Sequence, residues 1–325
     1  MRAHLESLNL PPGFEIGIFA EVPGARWLAR DPASGAIAVG TWSGEVYGVW
    51  DQDGDGAADS IVTRLEGLKV PNRVAFHDGY LYVAEQHRLA RYPVEGLAPE
   101  RQLDAAAEVI FDSLLDTVNH GWRCIGFGPD GKLYVAVGVA CNICDFEEPE
   151  GSILRMDPDG ANVETFARGI RNSVGFDFHP DTAVLHFTNN GTDDIDDNEP
   201  ADEFNAAPEA GMHFGFPYYA GGRHPDWADR RPPQEVTFLT GVCVSGAHRA
   251  TWRRVLHGRA VSGGIPGRRV RGPARLVEPL GTDRLSDHTH PLRRRRERYW
   301  LRAVHRRLAG WPLRLGPAGG CARTP

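Results

Sequence analysis

Residues able to do chemistry gather in a few short stretches of this chain. The first, DQDGDGAAD, sets carboxylates at Asp51, Asp53, Asp55 and Asp59 with Gly56 among them. Side chains at positions 1, 3, 5 and 9 with glycine at 6 match the spacing of a calcium loop. Position 12 would be Val62 rather than a bidentate glutamate, and no flanking helix is expected. A structural calcium and a plain acidic inter-strand turn both remain open, and catalysis is not expected there. The second stretch, NHGWRCIGFGPDGKLYV, places His120 shortly before an apolar run. A lone histidine is ordinarily structural or solvated, and spacing alone does not choose between that and an acid–base role. Cys141-Asn-Ile-Cys144 has zinc-type spacing, but no second pair completes a tetrahedral site, which favours a disulfide or two thiols over a metal. ARGIRNSVGFDFHP holds Arg171 and Asn172, either a turn cap or a polar clamp for an anionic ligand. TNNGTDDIDDNEPADEFN then concentrates Asp193, Asp194, Asp196, Asp197, Glu199, Asp202 and Glu203. Carboxylates that close repel unless they are solvated or share a hard cation, so this reads as an exposed acidic loop or a calcium site.

The elements that must position these groups repeat. A turn with Asp or Gly followed by a short apolar run occurs at DPASGAIAVGT, HDGYLYVAEQ, GPDGKLYVAVG and HPDTAVLHFTN. The runs begin at Ile37, Leu81, Leu133 and Leu185, spaced 44, 52 and 52 residues apart. Short strands at a near-constant period of about fifty residues predict propeller blades, one four-stranded sheet per repeat, over a β-sandwich. Each run is expected to be the first strand of its blade, with Glu45–Trp50 and Arg88–Tyr92 as following strands. The predicted fold is thus all-β, and no long window has helical periodicity. Four blades do not close a ring. Runs expected near residues 237 and 289 are replaced by TFLT and THPL, within an Arg-, Gly-, Pro- and Leu-rich stretch.

Charge divides the chain in the same place. The net charge is −7 overall, but residues 1–230 carry −22 and residues 231–325 carry +15, with 20 Arg and no Lys in the second part. No apolar run is long enough to span a bilayer. Met1 to Asn9 has no basic segment followed by an apolar one, so no export signal is expected. Five cysteines, at 124, 141, 144, 243 and 321, are too few for a disulfide scaffold.

Taken in order, His120 with GPDGKLYV, CNIC, GSILRMDPDG, ARGIRNSVGFDFHP, NNGTDD, ADEFN and GMHFGFPYYAGG resemble the glucose/sorbosone dehydrogenase family over about residues 10–225. The resemblance implies a six-bladed β-propeller carrying pyrroloquinoline quinone (PQQ) and calcium, here incomplete at about four blades. It implies His120 as general base, Arg171 and Asn172 as cofactor contacts, and the backbone carbonyls of Gly191 and Thr192 as ligands of the cofactor calcium. It ties Asp202 and Glu203 to a second, structural calcium. A sugar, sorbosone-like aldehyde or polyol would be the substrate, with an external electron acceptor and a periplasmic or secreted location. It implies nothing about oligomeric state.

The propeller domain is placed at 1–235 and an aberrant, poorly ordered tail at 236–325. Arginine without lysine, interspersed with Trp, Leu and Val, is the composition of GC-rich DNA translated out of frame. Shifted by one nucleotide with suitable synonymous codons, GAHRATWRRVLHGRAVSGGIPG is compatible with APTGQHGVVFYTGAQFPAEF, and Arg293 to Arg296 become an Asp-Gly-Asp-Gly turn. A frameshift near residues 238–246 is therefore expected. Three other functions compete: a decayed, calcium-stabilised binding propeller, a lactonase-type hydrolase, and a basic nucleic-acid tail. The last ranks lowest because no aromatic-basic module accompanies the arginines, so no nucleic-acid partner is expected.

Overall fold

Gly-containing turns and runs of β-branched and aromatic residues fold this chain into successive antiparallel sheets. In the computed structural model, the described residues are 8–10, 14–100, 103, 106–193, 195 and 200–221, together with the backbone of strands at 240–244 and 301–306. No helix occurs among them.

The leading strand, β1 (Phe14–Ala20), pairs antiparallel with Leu301–Arg306, the last strand, β19. The first blade is β2 (Ala25–Arg30), β3 (Ile37–Thr41), β4 (Val46–Trp50) and β5 (Ser60–Leu65). The second is β6 (Arg73–His77), β7 (Tyr80–Ala84), β8 (Leu89–Pro93) and β9 (Glu108–Phe111). The third comprises β10 (Cys124–Phe127), β11 (Leu133–Val137), β12 (Ser152–Met156) and β13 (Glu164–Arg168), with a fifth, parallel strand, β17 (Met212–His213), on the outside of β13. The fourth is β14 (Phe176–Phe178), β15 (Leu185–Asn189), β16 (Asp202–Ala207) and β18 (Thr240–Val244). All other neighbours within these blades are antiparallel.

The arrangement is that of four propeller blades. One expectation is corrected: the apolar runs at Ile37, Leu81, Leu133 and Leu185 form the second strand of each blade. Each first strand is shorter or carries charge (ARWLAR, RVAFH, CIGF, FDF), so it presents no clear alternating pattern. The expected sixth-blade run near 289 and the TFLT run at 237–240, apart from Thr240, lie outside the described residues. Thr240–Val244, beyond the boundary placed at 235, supplies the outer strand of the fourth sheet.

Hydrophobic burial lies between blades. Leu81 and Val83 face the first blade beside Val46 and Trp50, whereas Tyr82 and Ala84 face the third beside Leu133 and Val135. Tyr134 and Ala136 turn instead towards Phe176 and Phe187 of the fourth. The two-residue side-chain period of a strand therefore stitches the four sheets into one stack, and strands such as β11 are buried on both faces. The meander also fixes where loops emerge. The segment before each first strand and the one after each second strand share one edge of the propeller.

Candidate cofactor and metal site

Four such segments meet at the shared edge. The turn before β10 carries His120, the loop after β11 carries Gly138 to Cys144, the turn before β14 carries Arg171 and Asn172, and the loop after β15 carries Asn190 to Asp193.

His120 occupies the left-handed region, with φ of 50°. Its Nδ1 lies 2.6 Å from the Val139 carbonyl. A carbonyl can only accept, so Nδ1 carries the hydrogen, and in the neutral ring the lone pair sits on Nε2. Gly138 permits this closeness: a Cβ there would fall 2.6 Å from His120 Cβ and 2.9 Å from Asn172 Oδ1. The backbone ties the segments together, since Val139 N–H donates to the Arg171 carbonyl and Asn190 N–H to the Asn172 carbonyl, each at 2.9 Å.

Arg171 is 2% exposed. Its Nε donates to the Asn142 carbonyl at 3.0 Å, one terminal nitrogen to Asn142 Oδ1 at 2.7 Å and Asp193 Oδ2 at 2.9 Å, and the other to the Asn190 carbonyl at 3.4 Å. The burial of this cation is thus offset by a carboxylate and three neutral acceptors. Asn172 donates its backbone N–H to Asn189 Oδ1 at 3.2 Å. Glu203 accepts from Asn189 and Asn205, both at 3.0 Å, and Asp202 accepts from Gly191 N–H at 2.8 Å. Three buried side-chain oxygens nearby, Asn190 Oδ1, Thr192 Oγ1 and Asn205 Oδ1, have no hydrogen-bond partner among the described residues. Unsatisfied buried acceptors are costly unless something positive reaches them, which suits a hard cation.

A shallow cleft against this segment is lined by Arg171, Asn190, Gly191, Thr192, Glu203 and Tyr219, among others. Residues 77–237 match the family model for glucose/sorbosone dehydrogenase, a span that takes in His120, Arg171 and the whole 189–205 segment. This stretch resembles the glucose/sorbosone dehydrogenase family. A Borreliella burgdorferi protein, described as uncharacterized, is 29% identical over 257 residues, which is 75% of this chain and 65% of its own length. The chain therefore spans about two thirds of that curated relative. The PQQ domain of pyranose dehydrogenase from Coprinopsis cinerea, in its holo form, shares the fold at 15% identity and a TM-score of 0.55, over 64% of this chain and 58% of that one. A Trichoderma reesei carbohydrate-active enzyme of family AA12 does so at 16% identity and a TM-score of 0.54, over 71% and 67%.

Within this matched segment the structure gathers His120, Arg171, Asn172, Gly191, Thr192, Asp202 and Glu203. Asp194, Asp196, Asp197 and Glu199 lie outside the described residues. The Asp51–Asp59 turn joins β4 to β5, at the opposite edge of the propeller, so it is not brought to the site. Asp51, Asp53 and Asp59 do offer carboxylate oxygens within 4.8 Å of one another. Asp51, Asp53, Asp55 and Asp59 all accept backbone N–H groups of their own exposed turn. Cys141 and Cys144 form a disulfide, which removes both sulfurs from metal ligation.

Sequence reasoning missed Asn142, Asn189, Asn190, Asn205 and Arg123. Arg123 is fully buried and donates to the carbonyls of Gln86, Leu115 and His120, bracing the turn that carries His120. Burial pulls its guanidinium down to about 10, so it is still charged at neutral pH.

Proposed function

We propose that the chain is built as a PQQ- and calcium-dependent oxidoreductase that takes hydride from a sugar, a sorbosone-like aldehyde or a polyol. The observation that carries this reading is His120: its Nδ1 is locked on Val139, and Gly138, having no Cβ, leaves room for both His120 and Asn172, near buried acceptors that suit a cation. His120 Nε2 accepts the substrate hydroxyl proton as the carbinol C–H leaves as hydride, so the alcohol becomes a carbonyl. Bound PQQ supplies the hydride acceptor, and calcium supplies a Lewis acid. Arg171 and Asn172 would face the anionic and carbonyl oxygens of the quinone. The Gly191 and Thr192 carbonyls, with Asn190 Oδ1 and Thr192 Oγ1, would hold the calcium. A calcium structure of the Trichoderma reesei AA12 enzyme, with a TM-score of 0.51, agrees with a cation on this fold.

We further propose an external electron acceptor, a periplasmic or secreted location, and closing blades encoded in another reading frame. Resequencing the DNA tests the last of these, and an uninterrupted frame there would reject it. No helix among the described residues is long and apolar enough to cross a membrane.

A second reading, a calcium-stabilised propeller without turnover, is favoured by Arg171, whose three nitrogens already bond within the protein. Reconstitution with PQQ and calcium, followed by dye reduction with aldoses, separates the two. Under the enzyme reading, His120→Ala lowers turnover at least 100-fold and keeps PQQ bound. A folded chain that takes up no PQQ refutes it.

A further inference from the structure

We propose that Asn142, held in the small ring closed by the Cys141–Cys144 disulfide, is the positioning residue that aims Arg171 and Asp193 in the cofactor site. The inference rests on the function proposed above. Asn142 makes four hydrogen bonds to these two residues. Its carbonyl accepts from Arg171 Nε at 3.0 Å, and its Oδ1 accepts from Arg171 at 2.7 Å and from Asp193 N–H at 2.9 Å. Its Nδ2 donates to the Asp193 carbonyl at 2.9 Å. Asn142 belongs to the third blade, whereas Arg171 and Asp193 flank strands of the fourth, so these bonds cross the junction on which the site is built.

Both acceptors that Asn142 offers to Arg171 come from a surface loop. Left open, such a loop samples many conformations, and a buried guanidinium directed by it would wander with it. Closing residues 141–144 into a ring confines the Asn142 backbone, and with it the carbonyl and side chain that set the fork of Arg171. Packing does not account for the ring, because Ile143 at its tip is 37% exposed. Metal binding does not account for it either, since both sulfurs are joined. What the ring does present inward is Asn142.

The test uses the full chain in three forms: untreated, treated with a dithiol, and Asn142→Ala. The dithiol takes the pair to two thiols and closes to its own disulfide. Hydrogen exchange read by mass spectrometry is expected to rise at least tenfold in peptides covering 139–145 and 189–193 in both altered forms. Peptides from β3 and β7 should stay unchanged. PQQ titration by tryptophan fluorescence should show at least tenfold weaker binding in both forms, with Tm within a few degrees of the untreated chain. Unchanged exchange around Asp193 in both forms overturns the clamp. Raised exchange with undiminished PQQ affinity overturns its role in aiming the cofactor site. An untreated chain that binds no PQQ defeats the proposed function, and the exchange measurement still decides whether Asn142 clamps the two blades.

Discussion

Two acidic segments of this molecule look alike as text and differ as structure. DQDGDGAAD in the first blade has the calcium-loop spacing, yet its carboxylates lie in an exposed turn and accept their own backbone N–H groups. In the fourth blade, Asp202 and Glu203 are buried, held by backbone and amide donors, and accompanied by asparagine and threonine oxygens without partners among the described residues. The lesson concerns desolvation. An exposed carboxylate has water for a partner, so its spacing constrains little, whereas a buried oxygen needs a partner and its surroundings report which kind is missing.

The largest effect should come from Glu203→Ala, which strands the amide donors of Asn189 and Asn205 in a buried cluster. Denaturant unfolding should show a loss of about 2–5 kcal/mol, and a loss below ~1 kcal/mol would erase the contrast between the segments. Calcium comes next. At a hundredfold excess over its dissociation constant a cation adds about 2.7 kcal/mol, read as a rise in Tm. Thr192→Val should shrink that rise and Asp53→Asn should leave it; the reverse result would move the cation to the first blade. The smallest effect is a pH dependence confined to the fourth blade. Burial lowers the pKa of His186, which stacks on Phe204, below the ordinary value of 6.5. The folded state then prefers the neutral ring, so His186 costs no stability above pH 6.5 and costs progressively more as pH falls below it. His186→Phe should flatten a Tm profile between pH 7 and 5; an unaltered slope would assign the dependence elsewhere.

The four apolar runs were legible because the second strand of each blade is largely buried and so rich in apolar residues, most fully in LYVAV of β11, which is buried on both faces. First strands were not legible: CIGF and FDF are too short to show an alternation. His120, Arg171 and Asn172 stood out through a family resemblance, but their working geometry did not. His120 is oriented by a backbone carbonyl, which leaves no mark in the side-chain sequence. Arg123 is buried against three more carbonyls and is equally silent. Asn142 had one signal, its place between two cysteines, and it was read as spacing rather than as cargo. The buried asparagines looked like loop composition until β15 and β16 paired.

Met212–His213 leaves the fourth blade and returns to pair in parallel with β13 of the third. Backbone bonds on either side extend the seam: Gly211 N–H to the Phe166 carbonyl, and Phe214 N–H to that of Arg168. A propeller whose blades touched only through side chains could come apart at any junction. Here the third and fourth share main-chain bonds, so they form one cooperative unit that opens together. The junction around Asn142 and Arg171 lies inside that unit.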